Sequence, residues 1–285
     1  MLRLLAGAAV LTAGLIAAVW IGSRRERRER SAHVDRLMRA AGTAPSSAVQ
    51  ELDSLPPPVA RYLRRALPQR RTIGIVRMRQ AGRLRTDVRS ERWMPFEAEH
   101  TAAPRAVGLV WNARVHVAPL LHVAVRDAYV AGEGSSHVSL LSALPVSAAR
   151  GTPEMNSGSL HRFLAEAVWY PTALLPGSNV RWTAIDAGRA LATLTDHGVS
   201  VSLEFRFTET GDVSGIYTPS RWGTFEGGYE QRPWEGHFRD YRMRDGVLVP
   251  TNGDVGWYAG DRWHAVWEGT ITAYKAHAER EESGR

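Results

Sequence analysis

Asp127 interrupts an otherwise apolar strand face. Leu121, Val123, Val125 and Tyr129 share its parity, so a carboxylate is placed among greasy neighbours. Unpaired burial there would raise its pKa or cost several kcal/mol, so a partner such as an arginine is required. Two readings stand: a general acid or base in a cavity, or a structural Asp–Arg or Asp–Tyr pair at a strand end. Glu166 follows Arg162 by four residues, with Trp169 and Tyr170 just beyond. At that helical spacing the two form either a surface pair worth a few tenths of a kcal/mol or, if the helix covers a concave sheet, a carboxylate turned toward a ligand. A hydrolase would combine Asp127 and Glu166 with His116 or His161 as base, and needs at least two of them within reach in one pocket.

Other chemistries lack their residues. His116 and His122 fall on successive strands, while His137, His161, His237 and His264 are scattered singly. The pattern of two histidines on one helical turn beside a carboxylate is missing, so no metal centre is expected. G-x-S-x-G, the P-loop and a G-x-G-x-x-G between strand and helix are likewise missing, and no cofactor is expected. The chain has no cysteine, which excludes disulfides, thiolate ligands and thiol nucleophiles. Pro219 to Gly236 (PSRWGTFEGGYEQRPWEG) is glycine-rich and carries Trp222, Phe225, Tyr229 and Trp234. Such a loop either lines a binding mouth or caps the core at a sheet edge. The ligand-binding set expected is Arg162, Glu166, Trp169, Tyr170, Trp222, Tyr229 and Trp234.

These residues need elements to position them. Residues 56–276 read as one β-rich domain: Leu109 to Val117, Val199 to Phe207 and Trp263 to Ala273 alternate apolar and polar, with Val110 as an exception. Turn chemistry at Thr210-Gly211-Asp212, Asp245-Gly246 and Gly260-Asp261 links them into a meander of roughly eight to twelve strands. Gly132 to Ser136 reads as a turn. One helix interrupts the meander, with Leu160, Phe163, Leu164, Ala167, Val168 and Pro171 forming a stripe that would lie on the sheet. Thr152 before Pro153, or Ser157, would cap it. The fold class expected is mainly β (α+β): a strongly curved, half-barrel-like antiparallel sheet with one or a few packed helices.

The N-terminus predicts a membrane anchor at residues 1–23. Leu4 to Gly22 is an uncharged run, Arg3 precedes it, and Arg24, Arg25, Arg27, Arg28 and Arg30 follow. Residues 24–55 then read as a basic collar and a stalk helix, and 277–285 as a charged disordered tail. The arginine asymmetry places a single-pass protein in the cell membrane with its domain in the cytoplasm, an extracytoplasmic domain being the alternative. Membrane lipids are the expected partner of Arg24 to Arg30. Gly14, Ala18 and Gly22 are spaced for anchor-mediated self-association. Arg3 and the collar account for four of the seven net positive charges, so the domain is nearly balanced and nucleic acid is not an expected partner.

A resemblance adds to this reading. Arg162-Phe163-Leu164-Ala165-Glu166-Ala167-Val168-Trp169-Tyr170-Pro171, Val110-Trp111-Asn112-Ala113 with Asp127-Ala128-Tyr129, and the later Pro233-Trp234, Asp240-Tyr241, Gly246 to Pro250 and Gly256-Trp257 together resemble an uncharacterised bacterial domain-of-unknown-function family. It spans about Pro56 to Tyr274 and implies no activity. The late hairpin pattern is more weakly similar to half-barrel carriers of lipoproteins or lipids in the bacterial envelope. The function expected is therefore non-catalytic binding of a hydrophobic or lipid-like ligand near a membrane. The alternatives are the hydrolase above and a protein-interaction scaffold.

Overall fold

The computed structural model describes residues 2–43, 52–68 and 72–278, without the side chains of residues 2–16 and 18. Its sheet has two wings. One is the meander β1 (Ile73–Leu84), β2 (Met94–Ala103), β3 (Gly108–Ala118), β4 (Leu121–Val130), β5 (Glu133–Leu140) and β6 (Leu144–Arg150). The other runs through β7 (Val180–Ala184), β8 (Arg189–Asp196), β9 (Val199–Phe207), β10 (Val213–Phe225), β11 (Gly228–Arg244), β12 (Val247–Ala259) and β13 (Arg262–Ala278). β1 pairs antiparallel with β13, which joins the wings at their long central strands and leaves β6 and β7 as the edges. Thirteen strands among the described residues exceed the expected eight to twelve.

Helix α3 (Pro153–Glu166) crosses from one edge to the other, followed by short 3-10 turns at Ala167–Trp169 and Pro171–Leu174. Thr152 caps it, accepting from the Met155 amide. Because α3 touches β4 and β5 as well as β8, β9 and β10, the sheet must curl around it. The wings also meet directly, where Tyr129 Oη donates to Asp196 Oδ2 at 2.7 Å. The alternation read in β9 is realised: Val201, Leu203, Phe205 and Phe207 are buried. They join Leu160, Phe163 and Leu164 of α3 and Tyr62 and Leu63 of α2 (Pro57–Ala66) in a core that fills most of the concave side.

The outer face carries a second, smaller core. Helix α1 (Leu2–Thr43) docks there, with Leu37 fully buried against Ile75, Ala103, Val110, Ala128 and Val130. This explains the exception at Val110, whose side chain is on the outer face and is covered. Arg126, on the same face, bonds Glu26 at 2.6 Å and Glu29 at 3.0 Å. Gly22 packs against the backbone of Ala143, where a Cβ would collide with the carbonyl.

The membrane expectation is corrected. Among the described residues no helix is long and apolar enough to cross a membrane, which overturns the single-pass membrane localisation with its cytoplasmic domain. In the collar Glu26 and Glu29 serve Arg126, while the five arginines stay exposed, Arg25 pairing with Glu29 and Arg24 lying 3.7 Å from the Trp20 ring. Stalk residues 44–51 and tail residues 279–285 lie outside the described residues, as do the side chains of Gly14 and Ala18.

Two turn assignments also change. Pro219 to Gly236 is the hairpin of β10 and β11 with its turn at residues 226–227, not an irregular loop. Its glycines suit a strand because neighbouring side chains occupy the space: a Cβ on Gly223 would lie 2.7 Å from the Trp257 ring, and one on Gly236 2.7 Å from Val255. Of Gly132 to Ser136 only Gly132 turns, with φ +79°, and β5 begins at Glu133.

Candidate functional site

Between α3, its following turn and the central strands the concave face is not filled. A cavity of about 300 Å³ remains, walled by Trp111, Trp169, Trp234, Phe238, Trp257 and Trp267. Strand pairing assembles the wall: Trp234 of β11 lies opposite Trp257 of β12, and Trp267 of β13 stacks on Phe96 at 5.7 Å. Trp169 arrives from the other side, anchored by its indole N–H on Pro250 O at 3.1 Å.

Two close approaches set the height of α3 over this cavity. A Cβ at Gly134 of β5 would be 2.6 Å from Met155 O, and one at Gly158 of α3 2.8 Å from Trp222 O. These contacts seat the first half of the helix, and Arg162 and Glu166 of its second half line the cavity. Arg162 donates through Nη1 to Asp127 Oδ2 at 2.8 Å and through Nε to Glu166 Oε1 at 2.7 Å, with its guanidinium 4.8 Å from the Trp111 ring centroid. Asp127 also accepts from Ser136 Oγ at 2.7 Å. Burial works against the Arg162 cation, but Glu166 and Asp127 outweigh it and hold its pKa above the ordinary value.

Arg221 of β10 completes the charged part of the wall. Nη2 donates to Gly158 O at 3.0 Å, and the guanidinium lies 4.5 Å and 5.0 Å from the Trp234 and Trp257 ring centroids. Its Nε is shut off from solvent and has no partner. Burial lowers the pKa of this group to about 9, with the Arg162 charge acting in the same direction and Glu166 and Asp127 opposing it; it remains a cation at neutral pH.

Of the residues expected to bind ligand, Arg162, Glu166, Trp169 and Trp234 meet in the cavity, and Asp127 joins them. Tyr170 is fully buried in the core instead, its hydroxyl donating to Phe163 O at 2.8 Å. Trp222 contributes its carbonyl to the packing against Gly158, and Tyr229 pairs with Thr224 near the hairpin end; neither lines the cavity.

The two candidate bases are elsewhere. His116 is exposed opposite His122, and His161 is held by Ser157 O at 3.1 Å with its pKa pushed down to about 4, by burial first and then by Arg221. A histidine passed over in the sequence, His100 of β2, reaches Glu166 instead: Nε2 is 3.4 Å from Oε2, and the ring is fully enclosed between Trp169 and Tyr170. Burial lowers its pKa to about 4 against the pull of Glu166. Its parity on the buried face of β2, with Phe96, Ala98 and Ala102, was the signal available. Arg221 gave no comparable signal, because it follows a register shift after Thr218 and lies opposite Arg232. Among the described residues Glu26, Glu29 and His137 bring three ligand atoms within 4.8 Å, but the Arg126 guanidinium already holds both carboxylates.

Fold and site together define a curled antiparallel half-barrel with an aromatic, partly charged cavity under its crossing helix. Residues 53–275 match the family described as a family of unknown function (DUF6920), and the chain belongs to that family. No curated protein matches the chain. Among solved structures it is similar to a putative outer membrane lipoprotein-sorting protein domain from Vibrio parahaemolyticus, at 9% identity over 73% of this chain and 88% of that one, with a TM-score of 0.41. A LolA superfamily protein from Nitrosomonas europaea is similar at 11% identity, 78% and 93% coverage and a TM-score of 0.38. A beta-barrel-like protein of a domain of unknown function (DUF1849) from Brucella abortus follows at 11%, 73% and 99%, with a TM-score of 0.24.

Proposed function

We propose that the protein binds a hydrophobic ligand, without transforming it, in the cavity beneath α3. The observation that carries this reading is the cavity wall itself: five tryptophans and Phe238 around about 300 Å³ of unfilled space in an otherwise packed concave face. Aromatic surface left facing an unfilled space is surface that an apolar ligand would remove from water, at roughly 25 cal/mol per Å². The volume is at the small end of ligand pockets, roughly 300 to 1,000 Å³, and suits a single medium-length chain.

A saturable change in intrinsic tryptophan fluorescence on titration with 1-decanol is expected. Val125→Trp, which fills the cavity from its half-buried wall, should abolish saturation while leaving the melting temperature within a few degrees. Unsaturable quenching, or equal binding by the filled variant, would dismiss the cavity as the site. A hydrolytic reading has two supporting observations, the meeting of Asp127 and Glu166 in this cavity and the 3.4 Å approach of His100 to Glu166. It is the poorer account, because that imidazole is enclosed behind Glu166 and does not line the cavity.

A further inference from the structure

The cavity is apolar in area, and its three arginines and three carboxylates balance in number but are unevenly paired. Each carboxylate in its wall has a cationic partner: Asp127 and Glu166 have Arg162, and Asp254 has His237 at 2.7 Å and Arg239. The other two arginines in the wall have none. Arg85 donates to Ala265 O at 2.6 Å and Ser90 O at 2.8 Å, and Arg221 to Gly158 O. Backbone carbonyls satisfy N–H groups without neutralising a charge, and a cation left in a desolvated site without a counter-ion is unfavourable.

Arg221 is also arranged as a receiver. Its guanidinium lies against Trp234 and Trp257 in the cavity wall, Nη2 is taken by Gly158 O, and Nε is buried with no acceptor, so the group carries an unsatisfied N–H. Arg162 is not available in the same way, since two carboxylates already take its N–H groups. A cationic head group would have to compete with Arg162 for Asp127 and Glu166. An anionic one finds in Arg221 a cation that bonds no carboxylate directly, beside aromatic surface. Carboxylate and phosphate both fit a guanidinium fork.

Resting on the reading of the cavity as an apolar-ligand site, we propose that the ligand is an anionic amphiphile, its carboxylate or phosphate head received by Arg221 and its chain lying along Trp234, Trp257 and Trp267. Four probes of equal chain length, each below its micellar concentration, separate the alternatives on the full chain: decanoate, decyl phosphate, 1-decanol and decyltrimethylammonium. Decanoate or decyl phosphate should bind roughly tenfold more tightly than decanol, as a charge-assisted bond requires, with the cation weakest. The order of the two anions identifies the head group. Arg221→Gln should remove the preference for the anion over decanol, costing the anion roughly tenfold more than it costs decanol, with Arg221→Lys between.

Equal affinities for decanol and the anions, or equal loss of both in Arg221→Gln, would overturn the assignment while leaving the apolar cavity standing. Absence of saturable binding by all four probes would overturn both. If Arg221→Gln does not fold, the four-probe comparison on the unaltered chain and on Arg221→Lys decides, since loss of fork geometry alone should narrow the anion preference.

Discussion

At the scale of single residues, the buried polar groups divide by how they are neutralised. Arg162 is a cation between two carboxylates, whereas His100 and His161 are kept neutral by burial, each with a pKa near 4. This makes acid sensitivity a property of identified side chains. Both histidines have folded values below that of the unfolded chain, about 6.5, so between those values the unfolded state binds more protons. Stability should be full above about pH 7 and fall as pH drops toward 4, each histidine contributing on the order of 2 kcal/mol of loss by pH 5. His237 acts in the opposite sense: its hydrogen bond to Asp254 raises its pKa, so its contribution is full at low pH and is lost as pH rises through the folded value. Urea midpoints measured at pH 7.5 and pH 5 should show the net fall, and His100→Gln with His161→Asn should flatten it. An unchanged slope in the double variant would place the acid sensitivity elsewhere.

At the scale of elements, α3 is the part that makes a site out of a sheet. Its position depends on glycine at two contacts, Gly134 below it and Gly158 within it. Gly158→Ala tests this, because helix propensity alone would favour alanine by about 1 kcal/mol. Here a Cβ would lie 2.8 Å from Trp222 O, a backbone atom with little freedom to move. The substitution should therefore destabilise by about 1 to 3 kcal/mol and weaken ligand binding by shifting Arg162, Glu166 and the Gly158 carbonyl that holds Arg221. A higher melting temperature with unaltered binding would show that the helix can lift away without consequence. The apolar stripe and the Thr152 cap of this helix were legible in sequence, since both are local. Its end was less so: the stripe runs on through Ala167, Val168 and Pro171, but the chain tightens into 3-10 turns after Glu166. That tightening brings Trp169 round to the cavity.

At the scale of the whole molecule, the curl is held by contacts between the wings. Tyr129 and Asp196 join the ends of β4 and β8, with His197 at 3.0 Å as the other partner of the same oxygen. Tyr129→Phe keeps the ring packing and removes one buried bond, at a cost of about 1 to 2 kcal/mol. Hydrogen exchange should accelerate together in β4 and β8 and change little in β12 and β13. Uniform acceleration across the sheet would mean that the link stabilises the fold as a whole without governing its closure. The outer core works differently: α1 covers Val110, Ala128 and Val130, so a chain starting at residue 52 should bind an apolar dye more strongly than the full chain.

What the sequence by itself determined is what neighbouring residues determine. Period-two alternation marked β3 and β9, period 3.6 marked α3, and a carboxylate among apolar partners announced that Asp127 needed a partner, arginine or tyrosine; the structure gives it Arg162 at 2.8 Å. Tertiary structure alone decided which aromatics face one another. Trp111, Trp169, Trp234, Trp257 and Trp267 come from four strands and a turn spread over more than half of the chain, and only inter-strand register and curl bring them to one cavity. The same holds for the misread segments. A glycine-rich stretch becomes a hairpin because Trp257 and Val255 fill the space above its glycines, and Glu26 and Glu29 turn toward the sheet because Arg126 offers them a partner, while the arginines between and around them stay exposed. Local sterics are written in each short window of sequence; which surface covers another depends on packing between windows far apart, and that is settled only when the sheet closes around its helix.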